Sequence, residues 1–100
     1  MRDAADDYVG FEWDQEKSDA TFVERGIAFE AAAEVFEGDY VEHEDLRRDY
    51  GERRLIVTGK VQGVFVSVVW TPRGQRRRII SARPASARER REYREYDEAS

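Results

Sequence analysis

The sequence predicts an α+β domain: two short N-terminal helices, a three- to four-stranded antiparallel meander, and a C-terminal helix. Three stretches carry that expectation. Val64 to Arg83 runs from an apolar segment through Pro-Arg-Gly-Gln into Arg-Arg-Arg-Ile-Ile-Ser-Ala-Arg, which reads as two strands joined by a short reversal. Phe29, Ala32, Ala33 and Phe36 recur at helical spacing. Ser86-Ala87-Arg88-Glu89 is a capping box, with a hydroxyl for the third amide and a carboxylate returning to the first.

Residues 1–10 are acidic and lack periodicity, so they are expected to form a flexible extension with at most Tyr8 or Val9 docked; residues 11–100 form the single domain. Phe11 and Trp13 are apolar anchors, and Asp14 is placed to cap a helix over Gln15–Arg25 that ends at Gly26. The second helix is expected over Phe29–Glu37, stopped by Gly38. Tyr40 to Glu44 alternates weakly and suits an edge strand, and Glu44 to Asp49 is charged enough for a loop. Arg53 to Thr58 is the next strand, and Lys60 to Gly63 turns it into Val64–Thr71. Apolar residues on both phases of Val64–Thr71 make that strand central. The last helix runs from the capping box to about Tyr96. Phe29, Ala33, Phe36, Val57, Val66, Val68 and Ile80 are the expected core.

At 40% hydrophobic and 39% charged residues, the 100-residue chain supports one modest core. The net charge of −5 hides a division. Residues 1–52 hold 5 Lys/Arg against 17 Asp/Glu, and residues 53–100 hold 12 against 5, so the halves carry −12 and +7. Either the halves pair with one another or the basic half faces a polyanion. There is no cysteine, and neither a basic-then-apolar leader nor a long apolar span stands in the sequence, so the expected location is the cytoplasm, away from membranes. His43 is the single histidine, within Val-Glu-His-Glu-Asp; one imidazole among loop carboxylates does not make a ligand set, and no metal is assigned. No cysteine nucleophile, nucleophile elbow or phosphate-cradling glycine loop is present, and no cofactor is expected.

The arginines carry the chemistry. Arg76 and Arg77 read as a solvated face, whereas Arg78 and Arg83 bracket the anchoring Ile-Ile-Ser-Ala. Arg54 opens the preceding strand and Arg73 stands in the turn. Converging near Ser81, these side chains would hold a phosphodiester and stabilise charge on its oxygens; the alternative is ordinary ion pairing with the acidic half.

Several segments in order resemble one family. Phe11-Glu12-Trp13-Asp14 with Lys17, the Arg-Gly-Ile-x-Phe step at Arg25–Phe29, the Phe-Glu-x-Ala opening at Phe29, Gly-Glu-x-Arg at Gly51–Arg54, Thr-x-Arg-Gly at Thr71–Gly74, Arg-Ile-Ile-Ser-Ala-Arg at Arg78–Arg83 and Glu89-Arg90-Arg91-x-Tyr93 are similar to the BrnT toxins. The resemblance implies a RelE-like ribonuclease fold, a metal-independent endoribonuclease that arrests translation, and a BrnA-like ribbon-helix-helix antitoxin through which alone DNA is touched. For metal-free cleavage of this kind, Arg54, Arg73, Arg78, Arg83 and Glu52 are the catalytic candidates, and Ser81, Arg25 and Lys17 the substrate-contact candidates. The chain departs from the family where Asn and then Lys-His-Gly usually close helix one: these positions are Thr21, Glu24, Arg25 and Gly26. Pro72 also replaces an acid, and Ala28 stands where a Ser or Asp more often caps the second helix. Helix one therefore lacks a group that titrates near neutrality. Two functions follow: RNA cleavage by 2′-OH attack, with arginines around the phosphate and Glu52 as base, or an antitoxin-binding module descended from such a toxin with weakened or lost catalysis.

Overall fold

The computed structural model describes residues 8–99. Expectations for residues 1–7 fall outside that range. The elements run β1 (Phe11–Trp13), α1 (Gln15–Arg25), α2 (Phe29–Ala32) with a 3-10 turn at Ala33–Glu37, β2 (Tyr40–Glu44), β3 (Leu55–Val61), β4 (Val64–Arg73), β5 (Arg76–Pro84) and α3 (Ala87–Ala99).

These elements form one five-stranded mixed sheet in the order β1-β5-β4-β3-β2, with an α-helical layer on one face and α3 on the other. The α+β class and the C-terminal helix agree with the sequence, and β4 is the central strand. The strand count does not agree: β1 adds a fifth strand, parallel to β5, with Phe11 opposite Arg77 and Trp13 opposite Ile79. Three residues are too few for alternation to announce a strand, and the partner lies more than sixty positions away.

Local chemistry explains the helix ends. Asp14 Oδ1 accepts from the amides of Glu16 at 2.9 Å and Lys17 at 3.4 Å, and Gly26 closes α1 at φ 74°, where only glycine rests without strain. Ala28 has no oxygen with which to cap α2. Ser18 of α1 does so instead, its Oγ accepting from the Phe29 amide at 2.9 Å in the core. The predicted Phe29–Glu37 helix keeps its extent but tightens into 3-10 geometry after one α-turn. Both halves of the capping box form: the Glu89 amide donates to Ser86 Oγ at 3.1 Å and the Ser86 amide to Glu89 Oε1 at 2.8 Å.

Between β3 and β4, Gln62 (φ 52°) and Gly63 (φ 81°) make a two-residue reversal, shorter than the predicted Lys60–Gly63 turn. β4 and β5 likewise extend beyond the predicted reversal, leaving only Gly74 and Gln75 between them. Their ladder contains one irregularity. Trp70 pairs with Ile79 but Val69 with Ser81, so Ile80 is the extra residue of a bulge.

The core between the sheet and the N-terminal helices holds Phe29, Ala32, Val35, Val57, Val68, Trp70, Ile79 and Ala82, all nearly or wholly buried. Of the expected core, Phe29, Ala33, Val57, Val66 and Val68 are buried, while Phe36 and Ile80 are half-buried. Ile80 loses its place to Ile79 because it occupies the bulge. Arg77 overturns the solvated-face reading, being only 9% exposed. Its guanidinium carbon lies 4.1 Å from the Phe36 ring centroid and 5.2 Å from that of Trp70, with Tyr8 at 5.3 Å closing a third side. Tyr8 is held by an edge contact to Trp70, and the Val9 amide donates to Gln75, so the described end of the acidic extension docks on the β4–β5 hairpin.

Gly59 is the tightest point of the core. A methyl there would stand 2.9 Å from the Asp39 carbonyl oxygen and 2.9 Å from Val35 Cγ2. Gly59→Ala is therefore expected to cost about 1–3 kcal/mol in urea unfolding. A change below about 0.5 kcal/mol, the range of neutral surface substitutions, would contradict this close approach.

Candidate RNA-facing surface

The register sorts the arginines by face. Thr71 pairs with Arg78, Val69 with Ser81 and Ser67 with Arg83, so all six side chains share the face opposite the Trp70–Val68 core. In an unbroken strand, residues five apart point to opposite sides; the extra residue at Ile80 restores the phase. Arg78 and Arg83 are nonetheless separated by the four residue steps of β4 from Thr71 to Ser67, or roughly 13 Å along the sheet. They share a face without sharing one pocket.

Each is positioned by a carboxylate. Arg78 lies 3.7 Å from Glu12 of β1, its ladder partner. Arg54, just before β3, donates to Glu52 at 3.1 Å and stacks over Tyr50 at 4.1 Å. Arg83 forms a two-pronged pair with Glu89 of α3 at 2.6 and 2.9 Å. Arg73 continues the Thr71 phase two residues further, at the exposed end of the hairpin. Arg25 and Lys17 do not join this face: α1 belongs to the opposite layer, and Arg25 Nη1 donates to the Ala82 carbonyl at 3.1 Å.

Arg83 lies in an open cleft of about 690 Å³ between the β2–β3 connection and α3. The wall from β2 and its loop includes His43, Asp45 and Arg47; that from α3 includes Arg88, Glu89 and Glu92; Ile56 is part of the floor. Asp45 is buried and organises the loop, taking two bonds from the Arg47 guanidinium at 2.8 and 2.9 Å and one from the Tyr50 hydroxyl at 2.9 Å. The Arg47 bonds hold its carboxyl far below the usual carboxylate range, outweighing burial. Glu89 is lowered to about 2, first by Arg83, against the opposing effect of burial, and further by the Ser86 amide and the Ser67 hydroxyl. Arg83 is raised by Glu89, while the nearby positive charge of Arg47 works against it.

Residues 13–89 match the family model described as ribonuclease toxin, BrnT, of type II toxin-antitoxin system. The chain belongs to the BrnT family. No curated protein matches the chain. Membership gives it a protein antitoxin as partner and RNA as target, and no helix among the described residues is long and apolar enough to cross a membrane. The match runs from Trp13, the last residue of β1, through the first turn of α3 and so takes in the arginines of the BrnT sheet from Arg54 to Arg83.

The sequence had marked Arg83 and the capping role of Glu89 separately, but not their pairing, which requires α3 to fold back along β5. From sequence alone, His43, Asp45 and Arg47 read as parts of a charged edge and loop. Counting phase along β2 from Tyr40 places His43 with Val41, but only the β2–β3 register shows that this phase faces the arginines.

Glu89 yields a test of this arrangement. Its folded value of about 2 lies below the usual 4.5, so its stabilising contribution is complete above about pH 4.5 and is lost as pH falls toward 2. Glu89→Gln should flatten this part of the stability-against-pH curve and cost about 1–3 kcal/mol at neutral pH. An unchanged acid limb in chemical unfolding would refute the pairing.

Proposed function

We propose that this BrnT member is a metal-independent endoribonuclease with a RelE-like site, acting in the cytoplasm to arrest translation and restrained by a BrnA-like ribbon-helix-helix antitoxin that alone contacts DNA. The observation that carries the reading is Arg83, oriented by Glu89 inside an open cleft on the same face as Ser81 and Arg78. Among the described residues no three His, Asp or Glu side chains gather as a metal site.

The substrate supplies its own nucleophile. The 2′-oxygen attacks the adjacent phosphorus in line with the departing 5′-oxygen, and negative charge grows on the phosphoryl oxygens. Arg83 stabilises that charge with the N–H groups not engaged by Glu89, while Arg78 and Arg54 hold the neighbouring strand; Ser81 is positioned to donate to a phosphate oxygen. Arginine remains protonated, so its role is electrostatic and not proton transfer. Glu52, the base expected from sequence, accepts from Arg54, which makes it a positioning partner for that guanidinium.

The pairing of Arg54, Arg78 and Arg83 with carboxylates also favours a second reading, an antitoxin-binding module with weakened or lost catalysis. Purified protein freed of antitoxin distinguishes the two. With chelator present it should cut single-stranded RNA to fragments ending in cyclic phosphate, and Arg83→Ala should lower the rate about a hundredfold. Absence of cleavage across several RNAs and pH values would select the binding module. Under either reading the antitoxin covers the basic half with acidic and apolar groups, and affinity should fall as salt rises. A salt-independent dissociation constant would count against that surface.

A further inference from the structure

Cleavage by a 2′-hydroxyl needs an acceptor for its proton, and the carboxylates of the Arg83 cleft are already committed. Glu89 accepts from Arg83 and the Ser86 amide. Asp45 accepts from Arg47 and Tyr50. Glu92 takes a bond from Arg88 Nε at 3.1 Å, and Glu44, only loosely paired with Arg53 at 3.8 Å, stands opposite Leu55 on the other phase of β2, away from the arginine face. A carboxylate held by arginine is a weak base, and the guanidinium groups of Arg47, Arg83 and Arg88 have no lone pair to offer.

His43 remains. It lies on β2 opposite Ile56, and Ile56 is opposite Val69, the partner of Ser81; the imidazole therefore projects on the arginine face. It is exposed, lines the same cleft as Arg83, and its side chain has no hydrogen-bond or ion-pair partner among the described residues. The strand fixes its backbone and leaves its ring nitrogens available. Charged groups face it from each adjoining element: Asp45 and Arg47 from the following loop, Arg83 from β5, and Arg88, Glu89 and Glu92 from α3.

We infer that His43 is the general base of the ribonuclease reaction, a role that rests on the ribonuclease reading above. Neutral imidazole takes the proton of the RNA 2′-hydroxyl. The 2′-oxygen forms a bond to phosphorus while the bond from phosphorus to the 5′-oxygen breaks, and the departing oxygen takes a proton from water. The products are a 2′,3′-cyclic phosphate and a 5′-hydroxyl, and the imidazolium returns its proton to solvent. No oxidant, reductant or metal enters this balance.

The full chain, freed of antitoxin, is assayed on single-stranded RNA over about pH 5 to 9, beside His43→Ala and the more conservative His43→Gln. The unaltered protein should lose rate on the acid side as its general base takes up a proton. Both variants should fall about a hundredfold and lose that limb, with unchanged urea unfolding, and added imidazole should restore part of the His43→Ala rate. Since this is the chain's single histidine, its imidazole signal in NMR should also move when a cleavage-resistant 2′-deoxy oligonucleotide is added. Cleavage by both variants within about threefold of the unaltered rate, with the acid limb retained, would overturn the His43 assignment while leaving the ribonuclease intact. An unmoved imidazole signal despite oligonucleotide binding also overturns it. No cleavage by the unaltered chain removes the ribonuclease reading and this inference together.

Discussion

The carboxylate of Glu89 joins two tasks that the sequence keeps apart. It completes the capping box at the start of α3, and it fixes Arg83 at the end of β5 through two short bonds. Ser67 beneath it shares a bond of 2.8 Å with Thr58, so the polar contact continues into the buried floor of the sheet. The mean polarity of α3 is high, and its apolar hold on the sheet includes Tyr93, packed edge-on against Phe65 with ring centroids 5.3 Å apart. An arginine-rich helix with this limited apolar contact needs a directional bond to set its position. The same bond that docks the helix therefore aims the guanidinium, which couples stability to the geometry of the cleft.

The second constraint is the bulge at Ile80. Ile79 and Ala82 must both enter the core, yet they are three positions apart and belong to opposite phases of a regular strand. The inserted residue reconciles them, and on the other face it brings Arg78, Ser81 and Arg83 into alignment. Both consequences follow from a single irregularity. It serves core packing and the presentation of charge together.

Features governed by local chemistry were legible in the sequence. Asp14, Gly26 and the Ser86–Glu89 box each act within a few residues, and the structure contains all three. The two apolar phases of β4 likewise report burial on both sides. What the sequence did not disclose depends on distant partners. β1 exists because β5 offers it an edge, Arg77 is buried because Tyr8 and Phe36 converge over it, and Arg83 meets Glu89 because α3 turns back. His43 belongs to the same class: among the carboxylates of its own segment it reads as solvated, and only the sheet register brings it to the arginines.

The division of charge between the halves is only partly cancelled by pairing. Arg54–Glu52, Arg78–Glu12 and Arg53–Glu44 cross between the halves through single contacts at 3.1, 3.7 and 3.8 Å, whereas the Arg83–Glu89 and Arg47–Asp45 pairs, each held by two bonds, lie within one half each. This difference separates two kinds of guanidinium. A loose, partly exposed pair such as Arg78–Glu12 is worth about 0–1 kcal/mol, so an arriving phosphate can replace the carboxylate at small cost. Arg83 is held by two bonds to a carboxylate only 12% exposed, and exchanging that partner would leave Glu89 stranded. It must keep Glu89 and present its remaining edge. Arg78 is thus suited to capture a strand that varies in path, and Arg83 to meet one phosphate at a fixed angle. A nuclease needs both properties, because the RNA must enter flexibly while the scissile phosphate reacts in a single orientation.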